Sequence, residues 1–142
     1  MCRLLVLVLL GWSLFVDGGG AVRADDTPTP PQPRVSLAGS IDDEALEREA
    51  PATGVIATPA AWEKLVKAWG IKDAPKIDFA TELLVVGTWK GSSFNLTPQV
   101  TSGDLTVVAR GTKDLLPGFR WKVVSVPRTG IKTINGKPLP RE

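Results

Sequence analysis

Apolar residues fall at i, i+3, i+4 and i+7 most clearly where Trp62, Leu65, Val66 and Trp69 follow one another, and this spacing predicts an amphipathic helix. Thr58 supplies an N-cap hydroxyl, Pro59 suits the first helical position, and Gly70 stops the helix. On the outer face Glu63 and Lys67 stand at i, i+4 in the favourable order, worth about 0.2–0.5 kcal/mol in an isolated helix. A second, shorter helical turn is expected from Ser40, with Asp43 three residues on, a Glu44–Arg48 pair and Pro51 as its end.

Beyond Asp78 the period changes to two. Glu82 to Lys90 sets Leu83, Val85, Gly87 and Trp89 on one face and Leu84, Val86 and Thr88 on the other, so both faces are largely apolar and the strand is expected to be central. Ser93 to Val100 alternates Phe94, Leu96 and Val100 with Ser93, Asn95, Thr97 and Gln99, and Pro98 pushes it toward an edge or bulge. Leu105 to Arg110 and Phe119 to Val126 follow as strands, separated by the Ser102-Gly103-Asp104 turn and the Gly111 to Gly118 loop. Ile131 to Ile134 and a short return after Asn135-Gly136 predict a small hairpin with a type I′ turn. The expected fold class is α+β: a mainly antiparallel sheet with one amphipathic helix packed on it, the alternative being a β-sandwich or partly open barrel.

The first residues follow a different pattern. Met1-Cys2-Arg3 is a short positive start, Leu4 to Val16 a nearly unbroken apolar run, and Ala21-Val22-Arg23-Ala24 a small-residue cleavage pattern, so residues 1–24 read as a signal peptide cut after Ala24. The run falls short of the roughly 20 residues that span a bilayer, and no stable membrane anchor is expected. Residues 25–34 are proline-rich and predict an extended linker, which leaves 35–142 as a single domain in a secreted or periplasmic protein.

Composition narrows the chemistry. The chain has no His and no Tyr, and its single Cys lies in the leader, so the usual general bases, thiolate nucleophiles and soft metal ligands are missing. A Ser-Lys dyad from Lys90 with Ser92 or Ser93, or a carboxylate pair from Asp78 with Glu63, Asp104 or Asp114, has no spacing that fixes its geometry. The acids Asp42, Asp43, Glu44, Glu47 and Glu49 lack the glycine-punctuated order of a calcium loop and read as a solvated helix start. The expectation is therefore no enzyme, no catalytic residue, no cofactor and no metal. Residues 25–82 are net acidic and 83–142 net basic within a formal charge of +2, which suits two halves that complement one another. The sharper reading gathers Lys90, Arg110, Arg120, Lys122, Arg128, Lys132 and Lys137 on one surface that attracts an acidic protein or an anionic polymer. Nucleic acid is not an expected partner of an exported chain.

Trp89, Phe94, Phe119 and Trp121 read as core residues, with stacking on sugar rings as the alternative use of such aromatics. Contact residues concentrate on loops held by a rigid sheet, so the Gly91-Ser92-Ser93-Phe94 turn and the Thr112 to Gly118 loop, with Leu115, Leu116 and Pro117, are the candidate partner contacts.

The order Val55-Ile56, Trp62-Glu63-Lys64-Leu65, then Ile77-Asp78-Phe79 running into Leu83-Leu84-Val85-Val86-Gly87, resembles the C-terminal domain of the PrcB-type protease-complex subunits. Gly39 to Leu46, Pro117-Gly118-Phe119-Arg120 and Lys132 to Lys137 also resemble uncharacterised exported planctomycete proteins. The resemblance implies a non-enzymatic extracytoplasmic domain that touches another extracytoplasmic protein, with a protease as one candidate. A polysaccharide- or cell-wall-binding module and a protease inhibitor are the alternatives.

Overall fold

The computed structural model describes residues 33–114 and 116–139, so the expected leader, nearly all of the expected linker, Leu115 and residues 140–142 lie outside the described residues. Strand β1 (Ser36–Ile41) leads through a 3-10 turn (Glu44–Glu49) to β2 (Val55–Ile56) and helix α1 (Pro59–Trp69). Then come β3 (Glu82–Trp89), β4 (Phe94–Thr101), β5 (Asp104–Gly111), β6 (Phe119–Pro127), β7 (Thr133–Ile134) and β8 (Lys137–Pro138). The class is α+β, but the strands form two open four-stranded sheets, in the orders β1-β6-β3-β2 and β4-β5-β7-β8. All pairings are antiparallel except β5 with β7. The expected helix packs on the first of these mainly antiparallel sheets, and the second sheet covers its other face.

The two apolar faces of β3 explain that layering. Leu84 and Val86 pack with Trp62, Leu65, Trp69, Phe119, Trp121 and Val123 beneath α1. Leu83 and Val85 pack with Val124 and Val126 against Leu96, Leu105 and Ile134 of the second sheet. A strand buried on both faces has no polar side to show, which is why its sequence is a continuous apolar run. Trp69 meets Phe119 edge-on at 5.6 Å and lies 5.7 Å from Trp121, so three rings anchor the helix side of the core.

Helix α1 has the expected ends. The Thr58 hydroxyl accepts from the Ala61 N–H at 3.2 Å, and Gly70 closes the helix in the left-handed region at φ 61°. Its outer face differs from expectation: Glu63 and Lys67 form no ion pair, and Lys64 instead reaches Glu49 at 3.4 Å across to the 3-10 turn. The Glu44–Arg48 pair is not formed either, because Glu44 is held by Lys90 at 2.8 Å.

Strand β1 replaces the helical turn expected from Ser40. Ser40 lies inside β1, and Asp43 is the cap, accepting from the Ala45 N–H at 2.9 Å to start the 3-10 turn. The strand's inward positions are Leu37, Gly39 and Ile41. A β-carbon on Gly39 would lie 2.7 Å from the Trp121 ring, so glycine here makes room for the indole of the opposite strand.

Both short hairpins carry paired positive φ angles, Ser102 and Gly103 at 51° and 85° and Asn135 and Gly136 at 49° and 74°, as type I′ turns need. The Thr112 N–H donates to the Ser93 carbonyl, and alternation from that pair turns the odd-numbered residues of β4 toward β5. Pro98 therefore faces the open edge of the sheet, where its missing N–H breaks no ladder bond and leaves that edge poor for further pairing.

Candidate functional site

The two segments singled out as contact elements meet at one end of the molecule, where β3 turns into β4 and β5 leads back to β6. The Ser92 N–H donates to Asp114 Oδ1 at 2.9 Å, and the Ser93 N–H donates to the Thr112 hydroxyl at 3.0 Å. The Ser92 and Thr112 hydroxyls share a hydrogen bond of 3.0 Å, and the Trp89 indole N–H donates to the Thr112 carbonyl at 2.7 Å. Gly91 is buried against that same carbonyl, leaving no room for a side chain. Turn and loop are thus fastened into one ledge. Short hydroxyl and carboxylate side chains that bond backbone N–H groups are the usual way such turns are held.

On this ledge Ser92, Ser93 and Pro117 are exposed, Phe94 is half-buried, and Leu116, at 40%, is the one large hydrophobic side chain exposed among the described residues. Leu115 lies outside the described residues. Gly118 seats the far end of the loop on the carbonyl of Ile41, at the close of β1. The sequence marks Thr112 only as a loop end and Asp114 only as a carboxylate that could pair with Asp78, although two serines and a Thr-x-Asp segment carry the donors and acceptors of this clasp.

The four aromatics divide unequally. Phe119 and Trp121 are core residues at 0% and 8% exposure. Trp89 and Phe94 are only half-buried, which corrects the expectation that all four sit in the core. They stack on each other at 6.2 Å with ring planes 7° apart, Trp89 at the end of β3 and Phe94 at the start of β4.

Serine and lysine do not converge. The Lys90 ammonium reaches Glu44 at 2.8 Å and Glu47 at 3.8 Å, while the Ser92 hydroxyl is engaged by Thr112. The Glu44 hydrogen bond and charge raise the Lys90 pKa, and Lys90 lowers that of Glu44 in return. The carboxylates also go separate ways: Asp78 caps the Ala80 N–H, Asp104 accepts from Thr133 and Gly136 in the β7–β8 hairpin, and Asp114 serves the ledge. The basic residues do not gather on one surface. Arg120 begins β6 and Arg128 follows its end, about 26 Å apart at strand rise, and Arg128 donates to the Phe79 carbonyl at 2.9 Å. Lys132 packs beside Gly103, at the turn between β4 and β5.

A surface hollow of about 420 Å³ lies between α1 and the segment ending at Phe79. Its floor is Trp62, Ile77 and Phe79, each under a tenth exposed, and the Trp62 indole N–H is already satisfied by the Pro75 carbonyl at 3.3 Å. The hollow is lined mainly by apolar side chains, with Glu63, Lys67 and Lys76 among them, whereas the ledge presents Leu116 outright.

The ledge carries its own pH signature. The Ser92 hydroxyl, then the Thr112 hydroxyl, then the Ser92 N–H hold the Asp114 carboxyl well below the usual carboxylate range. A depressed carboxylate stabilises the fold fully above the unfolded-chain value of about 3.9 and loses that contribution only as pH falls through the lower folded value. The Ser92 amide resonance should therefore hold its position between about pH 7 and pH 4, while ordinary carboxylates begin to titrate. Asp114→Asn should shift that resonance and speed its hydrogen exchange at neutral pH. A Ser92 amide that follows the general titration would show that Asp114 does not hold the turn.

Comparison of the chain with family models, with curated proteins and with solved structures found no match. Among the described residues no helix is long and apolar enough to cross a membrane.

Proposed function

We propose that the chain is an exported, non-enzymatic domain that works by contact with another extracytoplasmic protein, through the ledge built from the Gly91–Phe94 turn and the 112–118 loop. The observation that carries this reading is the fastening of turn and loop by Thr112 and Asp114 beneath an exposed Leu116. Backbone already held by hydrogen bonds has less freedom to lose on binding, and Leu116 stands as an exposed apolar side chain two residues beyond Asp114. The absence of imidazole and of any thiol outside the leader supports contact over chemistry. The likeness of the Trp62 to Gly87 region to PrcB-type domains makes a protease complex the first partner class to try.

The test is co-purification from the native envelope, comparing the wild-type chain with Leu116→Asp. Leu116 is on the surface, so the variant should keep its melting temperature and lose its specific partner by about tenfold or more. Equal recovery of the same partner by two equally folded proteins would remove the ledge from the interface.

A further inference from the structure

The outer edge of β1 is built differently from the other sheet edges. β2 and β8 are two residues long, and β4 carries Pro98 on its open side. β1 has six residues, no proline and no charge between Ser36 and Ile41. The Ser125 N–H donates to the Val35 carbonyl at 2.9 Å, so alternation turns the backbone groups of Val35, Leu37, Gly39 and Ile41 toward β6. The N–H and C=O groups of Ser36, Ala38 and Ser40 then point outward, and among the described residues no strand meets them. All three side chains are exposed and small. Unpaired backbone of this kind is a template for another strand.

What that strand is follows from the order of residues around Ala38. Placed antiparallel to itself with Ala38 on the twofold axis, the segment sets Ser36 opposite Ser40 of the second copy, and each outward residue exchanges both backbone groups with its counterpart. On the helix-side face Val35 meets Ile41 of the second copy and Leu37 meets its Gly39, covering apolar side chains that are only half-buried in one chain. At both ends Arg34 stands opposite Asp42 of the second copy. Arg34 is free to reach it, with a side chain 78% exposed and a pair to Glu82 at 3.5 Å at its guanidinium base. Hydrogen bonding, size and charge are thus all symmetric about one residue.

We infer that β1 is a homodimerisation edge, pairing with β1 of a second copy in the register centred on Ala38 and joining the two β1-β6-β3-β2 sheets into one. The ledge adjoins this edge where Gly118 meets Ile41 and Asp42, and a dimer would present two copies of it.

Sedimentation velocity on the purified protein, expressed from its full reading frame and run up to about 1 mM, tests the inference. A concentration-dependent dimer is expected. Ala38→Lys places two ammonium groups face to face on the axis and should weaken association about tenfold or more, without lowering the melting temperature of the exposed site. Arg34→Asp and Asp42→Arg should each weaken it by setting like charges opposite one another, and the double variant Arg34→Asp/Asp42→Arg should restore it, an outcome that local misfolding cannot produce. A monomer at every concentration would overturn the inference. So would a dimer indifferent to Ala38→Lys, or single charge reversals that the double variant fails to rescue.

Discussion

Phe119→Ala is expected to cost about 3–5 kcal/mol, as full truncation of a buried aromatic does. Phe119 has no exposed surface and touches Trp69 edge-on, so its ring joins α1 to the strand at the centre of the first sheet. Removing it leaves a void beside the Trp69 indole, which is too rigid to collapse into it. A single domain holds only about 5–15 kcal/mol in all, so the variant should melt on the order of 20 °C lower. Chemical denaturation followed by tryptophan emission would measure the loss. A cost under about 1 kcal/mol would mean that the helix is held by something other than this aromatic cluster.

Gly118→Ala should be the most damaging change of similar size on the ledge. Gly118 sits at φ 75°, and an added β-carbon would collide with the carbonyl oxygen of Ile41, which is backbone and cannot swing away. The left-handed conformation costs a non-glycine residue about 1–2 kcal/mol, and forced overpacking adds about 1–3 kcal/mol. Gly130→Ala separates the two terms, because Gly130 has a similar φ of 82° with open space around it. If the two variants lose equal stability in urea titrations, the seat of the loop on β1 contributes nothing.

The parts of the fold legible in the sequence are those decided locally. Thr58, Pro59 and Gly70 mark the helix ends by capping chemistry that depends only on neighbouring backbone. Strand β3 declares itself because burial on both faces leaves an apolar run. Strand β1 was hidden for the opposite reason: one of its inward positions is Gly39, emptied to admit an indole from β6, so its alternation reads as Leu, Gly, Ile among small residues. The division into two sheets was legible only as an alternative, since the partners of β6 come from distant parts of the chain and no local period records them. At the ledge the exposed members were legible as loop residues. The clasp was not, because Thr112 and Asp114 acquire their role only when the Ser92 and Ser93 amides arrive beside them.

The position of β6 between β1 and β3 bears on how the chain is made. β1 has no partner until residues 119–127 have left the ribosome, and before then β3 can pair in that sheet only with the two residues of β2. Contacts this far apart in sequence close late and slowly. In a chain of this order the first sheet is completed only once residues 119–127 have been made.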